Sequence, residues 1–287
     1  MMEEHVFHTG AVRLNYAEGP ASGPPLVLLH GGSARWQAAL PLIPDLAAGW
    51  HVYAPDLRGH GGSDWVPGQY KIDDYAADVA AFLAGGRRAP AMLFGHSLGG
   101  QVAIMVAAQH PELVRALILA DPPFDRAVLR AHIQTNRPMT ERWRDLAGPR
   151  RSVAQIVAAL QQSPVVAPGA MEARSAVEVF GADHPWFLWM AENLHHHDPT
   201  MLDAVLDFDA MHAAFDTEQM FPQITCPVLI LQADPRAGGA LSDAEVARAL
   251  ALLPQATHVQ LTGVSHVLHN ERKEPVLAAM RPFLTTL

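Results

Sequence analysis

One stretch constrains the fold of this chain more than any other: Leu93-Phe94-Gly95-His96-Ser97-Leu98-Gly99-Gly100. Ala91 to Phe94 reads as a short buried strand, and Gln101 to His110 as a helix, apolar on nearly every side and therefore buried. Between them, the G-x-S-x-G spacing Gly95–Gly99 leaves one tight strand-to-helix turn. In such a turn the middle residue is forced into a strained backbone conformation and its side chain stands above the sheet edge. Glycines flank it because a Cβ would collide with the strand or the helix. A serine held at a helix start also faces unpaired backbone N–H groups and the positive end of the helix dipole, a setting suited to a developing anion.

Other segments repeat the strand-then-helix rhythm. Val6 to His8 and Val12 to Tyr16 predict a hairpin around Thr9-Gly10. Leu26 to Leu29 is an unbroken apolar run, as expected of a strand covered on both faces, and it ends at His30-Gly31-Gly32-Ser33. Trp36 to Ala48 predicts a helix interrupted by Pro41 and Pro44. His51 to Ala54 is the next strand and leads into the glycine-rich loop Asp56 to Asp64. Ile72 to Leu83 has helical spacing, and Ala116 to Ala120 is a strand ending at Asp121. Pro227 to Leu231, Asp243 to Leu253, Thr257 to Leu261 and Glu274 to Leu284 resume the alternation. Between Phe124 and Pro222 strand signals vanish. The chain therefore divides into a core of residues 1–123 and 223–287 and a helical insertion over 124–222, too long for a plain connection. The expected fold class is α/β, an open and mostly parallel sheet with helices on both faces. Crossovers of one hand line up the strand C-termini, so His30, Ser97, Asp121, Asp234 and His266 can converge.

Composition removes several classes. Apolar residues make up 49% and charged residues 17%, so the chain is globular. A net charge of −9 opposes nucleic acid or an anionic membrane surface as partner. The acidic amino terminus lacks an apolar signal segment, and no apolar run reaches a membrane span, which favours the cytoplasm. The single cysteine, Cys226, leaves no intrachain disulfide and reads as packing. His195-His196-His197-Asp198 lacks metal-ligand spacing, so no metal or other cofactor is expected. The loop Asp56–Asp64 lacks the phosphate-loop ending and reads as a tight surface loop beside the site.

A serine hydroxyl needs a base before it can attack. His266, just past the last strand, is the candidate, with His269 one helical turn further as competitor. The imidazole needs an acid to fix its tautomer. Asp234 is the expected acid, Asp121 the alternative, and Asp243 a third, better read as a helix start. The oxyanion formed on attack needs two donors: the N–H of Leu98 at the helix start and that of Gly32 on the facing loop. The aromatic cluster Trp186, Phe187 and Trp189 of the insertion reads as core residue by residue, with one or two expected to face the substrate, so Trp186 and Trp189 are candidate pocket residues together with His30.

These residues resemble the α/β-hydrolase superfamily over nearly the whole chain. Leu28-Leu29-His30-Gly31-Gly32 is similar to its oxyanion loop and Asp56 to Ser63 to the segment after its fourth strand. Gly95 to Gly100 is similar to its nucleophile turn, and Gly263 to Glu271 to its histidine loop. The resemblance implies an eight-stranded sheet and a variable cap at 124–222 that sets selectivity. Members often carry a glycine after the seventh strand with the acid two or three residues on. Asp234 departs from that pattern, and some members place the acid after the sixth strand, where Asp121 stands. A serine, not an aspartate, at the turn argues against haloalkane dehalogenase and epoxide hydrolase chemistry. Val267, where several carbon–carbon bond hydrolases have tryptophan, ranks that reading second, beside a lactonase, and a cofactor-free haloperoxidase third.

The expected function is hydrolysis of carboxylic esters of small or medium, largely apolar substrates through an acyl-enzyme. The partner is a small-molecule ester, and the sequence sets no oligomeric state. A different class, a ligand-binding protein that keeps the fold without turnover, would be expected to lose a triad residue or an oxyanion glycine, and neither is lost here.

Overall fold

The computed structural model describes residues 2–86, 88–165 and 172–287. Eight strands form one sheet in the order β1-β2-β4-β3-β5-β6-β9-β10. β1 (Glu3–His8) and β2 (Arg13–Glu18) are antiparallel to each other, and β2 is antiparallel to β4 (His51–Pro55). β3 (Pro25–Leu29), β4, β5 (Ala91–His96), β6 (Val114–Ala120), β9 (Val228–Ala233) and β10 (Ala256–Leu261) run parallel. The central strands are apolar along their length because helices cover both faces, and the two buried clusters lie on opposite sides of the sheet.

The predicted helix at Trp36–Ala48 is shorter than expected. Around its prolines it breaks into a 3-10 turn (Trp36–Ala39) and one α-turn, α1 (Ile43–Leu46). α2 (Ile72–Ala84) packs beside α3 (Leu98–Gln109), which is buried on nearly every face.

After β6 the chain leaves the sheet and returns at β9. This insertion carries α4 (Arg126–Thr135), α5 (Arg137–Leu146), α6 (Val153–Gln161), α7 (Ala176–Phe180), α8 (Pro185–His195), α9 (Pro199–Leu206), α10 (Phe208–Met211) and α11 (Thr217–Met220). A small hairpin, β7 (Pro164–Val165) and β8 (Arg174–Ser175), interrupts it. α12 (Asp243–Leu252), α13 (Leu268–Glu271) and α14 (Lys273–Leu284) complete the core. Among the described residues, no helix is long and apolar enough to cross a membrane.

The glycine-rich loop after β4, expected at the surface, is buried over its first half and reaches the surface only near Gly62. Asp56 to His60 are buried, and Asp56 accepts from the backbone N–H of Trp36 at 2.7 Å and of Gly62 at 2.9 Å. Arg58 is buried against Asp78 at 2.6 Å. The loop also carries the insertion: Asp198 N–H donates to Gly59 O at 2.9 Å, and the His60 and His197 rings pack edge to face at 4.4 Å. A polar loop is buried here because its charges and backbone groups are paired within the fold.

Candidate active site

Ser97 sits between β5 and α3 with φ +50° and ψ −117°, outside the regions a side chain normally adopts. The strain is held by close packing around the turn. A Cβ on Gly99 would lie 2.4 Å from Leu29 O, and one on Gly31 would lie 2.8 Å from His96 Nδ1. The end of β3 therefore reaches the turn only because both positions are glycine. As first residue of α3, Leu98 has no intrahelical acceptor for its N–H. Gly32 and Leu98, the two expected oxyanion donors, line the same cavity as Ser97.

His266 follows β10 on a loop that turns at Gly263, where φ is +69°. Its Nδ1–H donates to Asp121 Oδ2 at 2.7 Å. Asp121 is fully buried at the end of β6 with φ +52°. Its Oδ1 accepts from the N–H groups of Ala233 (3.0 Å) and Leu241 (3.2 Å), and its Oδ2 also accepts from Ala240 N–H (2.7 Å). Three backbone donors and one imidazole hold this buried carboxylate, so its charge is compensated without a basic side chain.

Asp234 was the expected acid, and the structure corrects this. Its Oδ1 accepts from Arg236 N–H at 2.9 Å and its Oδ2 from Gly263 N–H at 3.0 Å. Pro235 follows and begins a short 3-10 turn that Asp234 caps, which turns the carboxylate toward Gly263 and away from the imidazole. The Gly263 and Arg236 N–H groups, followed by the Arg236 side chain, hold the Asp234 carboxyl below its ordinary range. Asp234 thus ties the end of β9 to the loop that carries His266. Asp243 is engaged elsewhere, accepting from Gln232 Nε2 at 2.9 Å.

Two histidines brace the site. His96, the residue before the serine, donates from Nε2 to His266 O at 2.8 Å. Burial, with His266 and His269 nearby, pushes His96 well below the usual imidazole range, so the ring is neutral. This support was missed in the sequence, although its position inside the motif was a signal. His30 was expected in the pocket, but both ring nitrogens are used in the loop. Nδ1–H donates to Gly31 O at 2.8 Å, and Nε2 accepts from Leu57 N–H at 3.0 Å. It holds the Gly31-Gly32 turn and lines neither cavity at Ser97. His269 lies buried behind the site, edge to face with His96 at 5.2 Å.

Two cavities, of about 220 and 420 Å³, meet at Ser97, and the second also exposes His266. Their roof is the insertion. α4 presents Leu129, His132 and Ile133 at helical spacing, Asn136 caps its end, and α5 adds Met139 and Trp143. α9 supplies Met201 and Val205. Trp186 and Trp189 line neither cavity, contrary to expectation. α8 packs on α6 and buries Phe187, Met190 and Leu194, and its tryptophans lie half-buried against the same apolar cluster. Trp143 lines the first cavity together with Ser97.

Among the described residues, no group of three His, Cys, Asp or Glu side chains is placed to hold a metal ion. His195 Nδ1–H donates to Arg151 O at 3.0 Å and His197 Nδ1–H to Asp198 O at 2.8 Å, so these rings serve the insertion. Cys226 is half-buried, and burial pushes its thiol up to about 11, so it is not a thiolate at neutral pH.

Comparison with known families gives the same architecture. The family model described as alpha/beta hydrolase fold matches residues 24–167, half of the 287-residue chain. The chain belongs to the α/β-hydrolase family. Within this family it is similar to 2-(acetamidomethylene)succinate hydrolase of Mesorhizobium japonicum, with 37% identity over 112 residues, 39% of this chain and 40% of that protein. It is also similar to lipase LipV of Mycobacterium tuberculosis, with 39% identity over 108 residues, 36% of this chain and 39% of that protein. These matches span about 40% of each relative's length. The crystal structure of E-2-(acetamidomethylene)succinate hydrolase superposes with a TM-score of 0.76 at 24% identity, covering 99% of this chain and 100% of that one, a likeness of fold.

Proposed function

We propose that the protein is a serine hydrolase that cleaves carboxylic esters of small or medium, largely apolar substrates, with Ser97 as nucleophile, His266 as base and Asp121 as the orienting acid. The observation that carries this reading is the 2.7 Å bond from His266 Nδ1–H to a buried, backbone-held Asp121. That bond leaves Nε2 as the lone-pair nitrogen, and His266 shares a cavity with Ser97.

The chemistry runs in two balanced halves. His266 Nε2 takes the Ser97 hydroxyl proton as Oγ bonds to the ester carbon, and the carbonyl oxygen becomes an oxyanion facing the Leu98 and Gly32 N–H groups. The carbon–oxygen bond to the alcohol then breaks, and the imidazolium returns its proton to the departing oxygen. Water attacks the acyl-enzyme with the same base, releasing the acid and restoring Ser97. Asp121 remains an anion throughout and stabilises the imidazolium. The relatives include a lipase and a succinate-derivative hydrolase. Their short matches support hydrolytic chemistry in general, and the ester preference rests on the apolar cavity at Ser97.

Steady-state hydrolysis of p-nitrophenyl esters of increasing acyl length, by wild type beside Ser97→Ala, tests the proposal. Turnover that disappears in the alanine variant is expected. No turnover of any ester by folded wild type would contradict it and move weight to carbon–carbon bond hydrolysis or ligand binding.

A further inference from the structure

Ser97 stands where two cavities with different catalytic neighbours meet. Gly32 and Leu98 line the first and not the second, whereas His266 lines the second and not the first. The nitrogen that protonates the leaving group must be next to it, so the alcohol departs on the His266 side. The acyl chain must then extend the other way, past the oxyanion donors and under α4, α5 and α9.

Among the described residues, no Asp, Glu, Lys or Arg lines either cavity. Besides Ser97 and two imidazoles, the polar side chains of the first cavity are Ser33, Gln101, Asn136 and Thr140, all uncharged. Gln101 Nε2 donates to Pro123 O at 3.1 Å, and Thr140 Oγ1 to Asn136 O at 3.3 Å. Two imidazoles remain, and neither supplies a cation at neutral pH. Burial pushes His212 down to about 4, and burial together with nearby His266 lowers His132. A carboxylate on the acyl group would lose its water and gain no counter-charge. The second cavity has a wall of short side chains, Gly238, Gly239 and Ala240, facing Val128 and Leu129.

From these observations we propose that the substrate is an uncharged ester, with an apolar acyl group in the α4/α5/α9 cavity and its alcohol in the cavity between His266 and the Gly238–Ser242 loop. The inference rests on the ester reading above and adds which side of the serine each half of the substrate occupies. It also separates this chain from any relative that acts on a succinate derivative.

Two matched series test it: methyl esters of lengthening acyl chain, and acetates of lengthening alcohol. Val205 lines only the first cavity, and Val128 lines the second and not the first. Val205→Trp is expected to lower kcat/KM for the longest acyl chains by at least about ten-fold while keeping the wild-type ranking of alcohols, and Val128→Trp to do the reverse. The opposite pattern would overturn the assignment. A comparison that needs no variant uses monomethyl succinate and its uncharged isostere methyl 4-methylpentanoate on wild type. Preference for the neutral ester by at least about ten-fold is expected, and equal or reversed preference would overturn the charge selectivity. Turnover with the wrong profiles defeats only this inference. Absence of turnover on every ester defeats the ester reading, and this inference with it.

Discussion

Asp121 Oδ2 accepts the Nδ1–H of His266 at 2.7 Å across 145 residues of chain. The end of β6 and the loop after β10 are joined by this bond although β9 lies between them in the sheet. The link forms because Asp121, at φ +52°, turns its carboxylate over β9, where Ala233 N–H also donates to it.

This relationship separates two aspartates that the sequence leaves open. Asp121→Asn is expected to lower kcat by about 10⁴-fold, because an amide can present its N–H to the ring and select the wrong tautomer. Asp234→Asn is expected to lower kcat by less than about ten-fold, since it only weakens the tie to Gly263. Kinetics of both variants on one ester, with melts to establish folding, check this. Loss in Asp234→Asn and retention in Asp121→Asn would reverse the assignment.

The turn that presents Ser97 depends on backbone contact. A Cβ on Gly99 would lie 2.4 Å from Leu29 O, which no rotamer change relieves. Gly99→Ala is expected to cost about 1–3 kcal/mol in urea unfolding and to reduce activity by displacing the facing oxyanion loop. Gly49→Ala is a control: its Cβ would meet nothing within 4 Å, and no change in activity is expected. Equal stability and activity in the two variants would show that the close approach is not what holds the turn.

Buried imidazoles make stability depend on pH. Burial lowers His197, His212 and His269 from an ordinary 6.5 to about 4. Between those values the unfolded chain takes up protons that the folded protein refuses, so stability falls as pH drops from about 6.5 toward about 4. Among the described residues, no hydrogen-bond partner reaches the buried Nδ1 of His269. Replacing it with an apolar side chain removes one such group at little packing cost. His269→Leu is therefore expected to flatten the acid fall in Tm measured between pH 7.5 and 5. A slope as steep as wild type would contradict the burial account.

Much of the fold was legible because periodicity reports burial. The apolar runs at Leu26, Met92, Leu117 and Val228 are strands covered on both faces, and the glycines around Ser97 mark a close approach. The acid was less legible. Asp121 and Asp234 both follow strands; the left-handed backbone at Asp121, an unusual conformation for aspartate that sequence does not reveal, and the short turn that engages Asp234 with Gly263 together select between them. The pocket was misread for a related reason. Large aromatics at 186 and 189 attract attention, whereas the cavity is roofed by an ordinary amphipathic stripe on α4 with residues of α5 and α9. That stripe faces empty space instead of protein, and a sequence shows the stripe without showing what it faces.

The most direct test of Ser97 as an activated nucleophile is stoichiometric phosphorylation by diethyl p-nitrophenyl phosphate. Intact mass and peptide mapping are followed alongside loss of esterase activity. One diethylphosphoryl group per chain on Ser97, appearing in step with inactivation and absent from Ser97→Ala, is the expected result. Esterase activity that persists without modification, or inactivation that tracks modification of another residue, would contradict the assignment of Ser97 as the nucleophile.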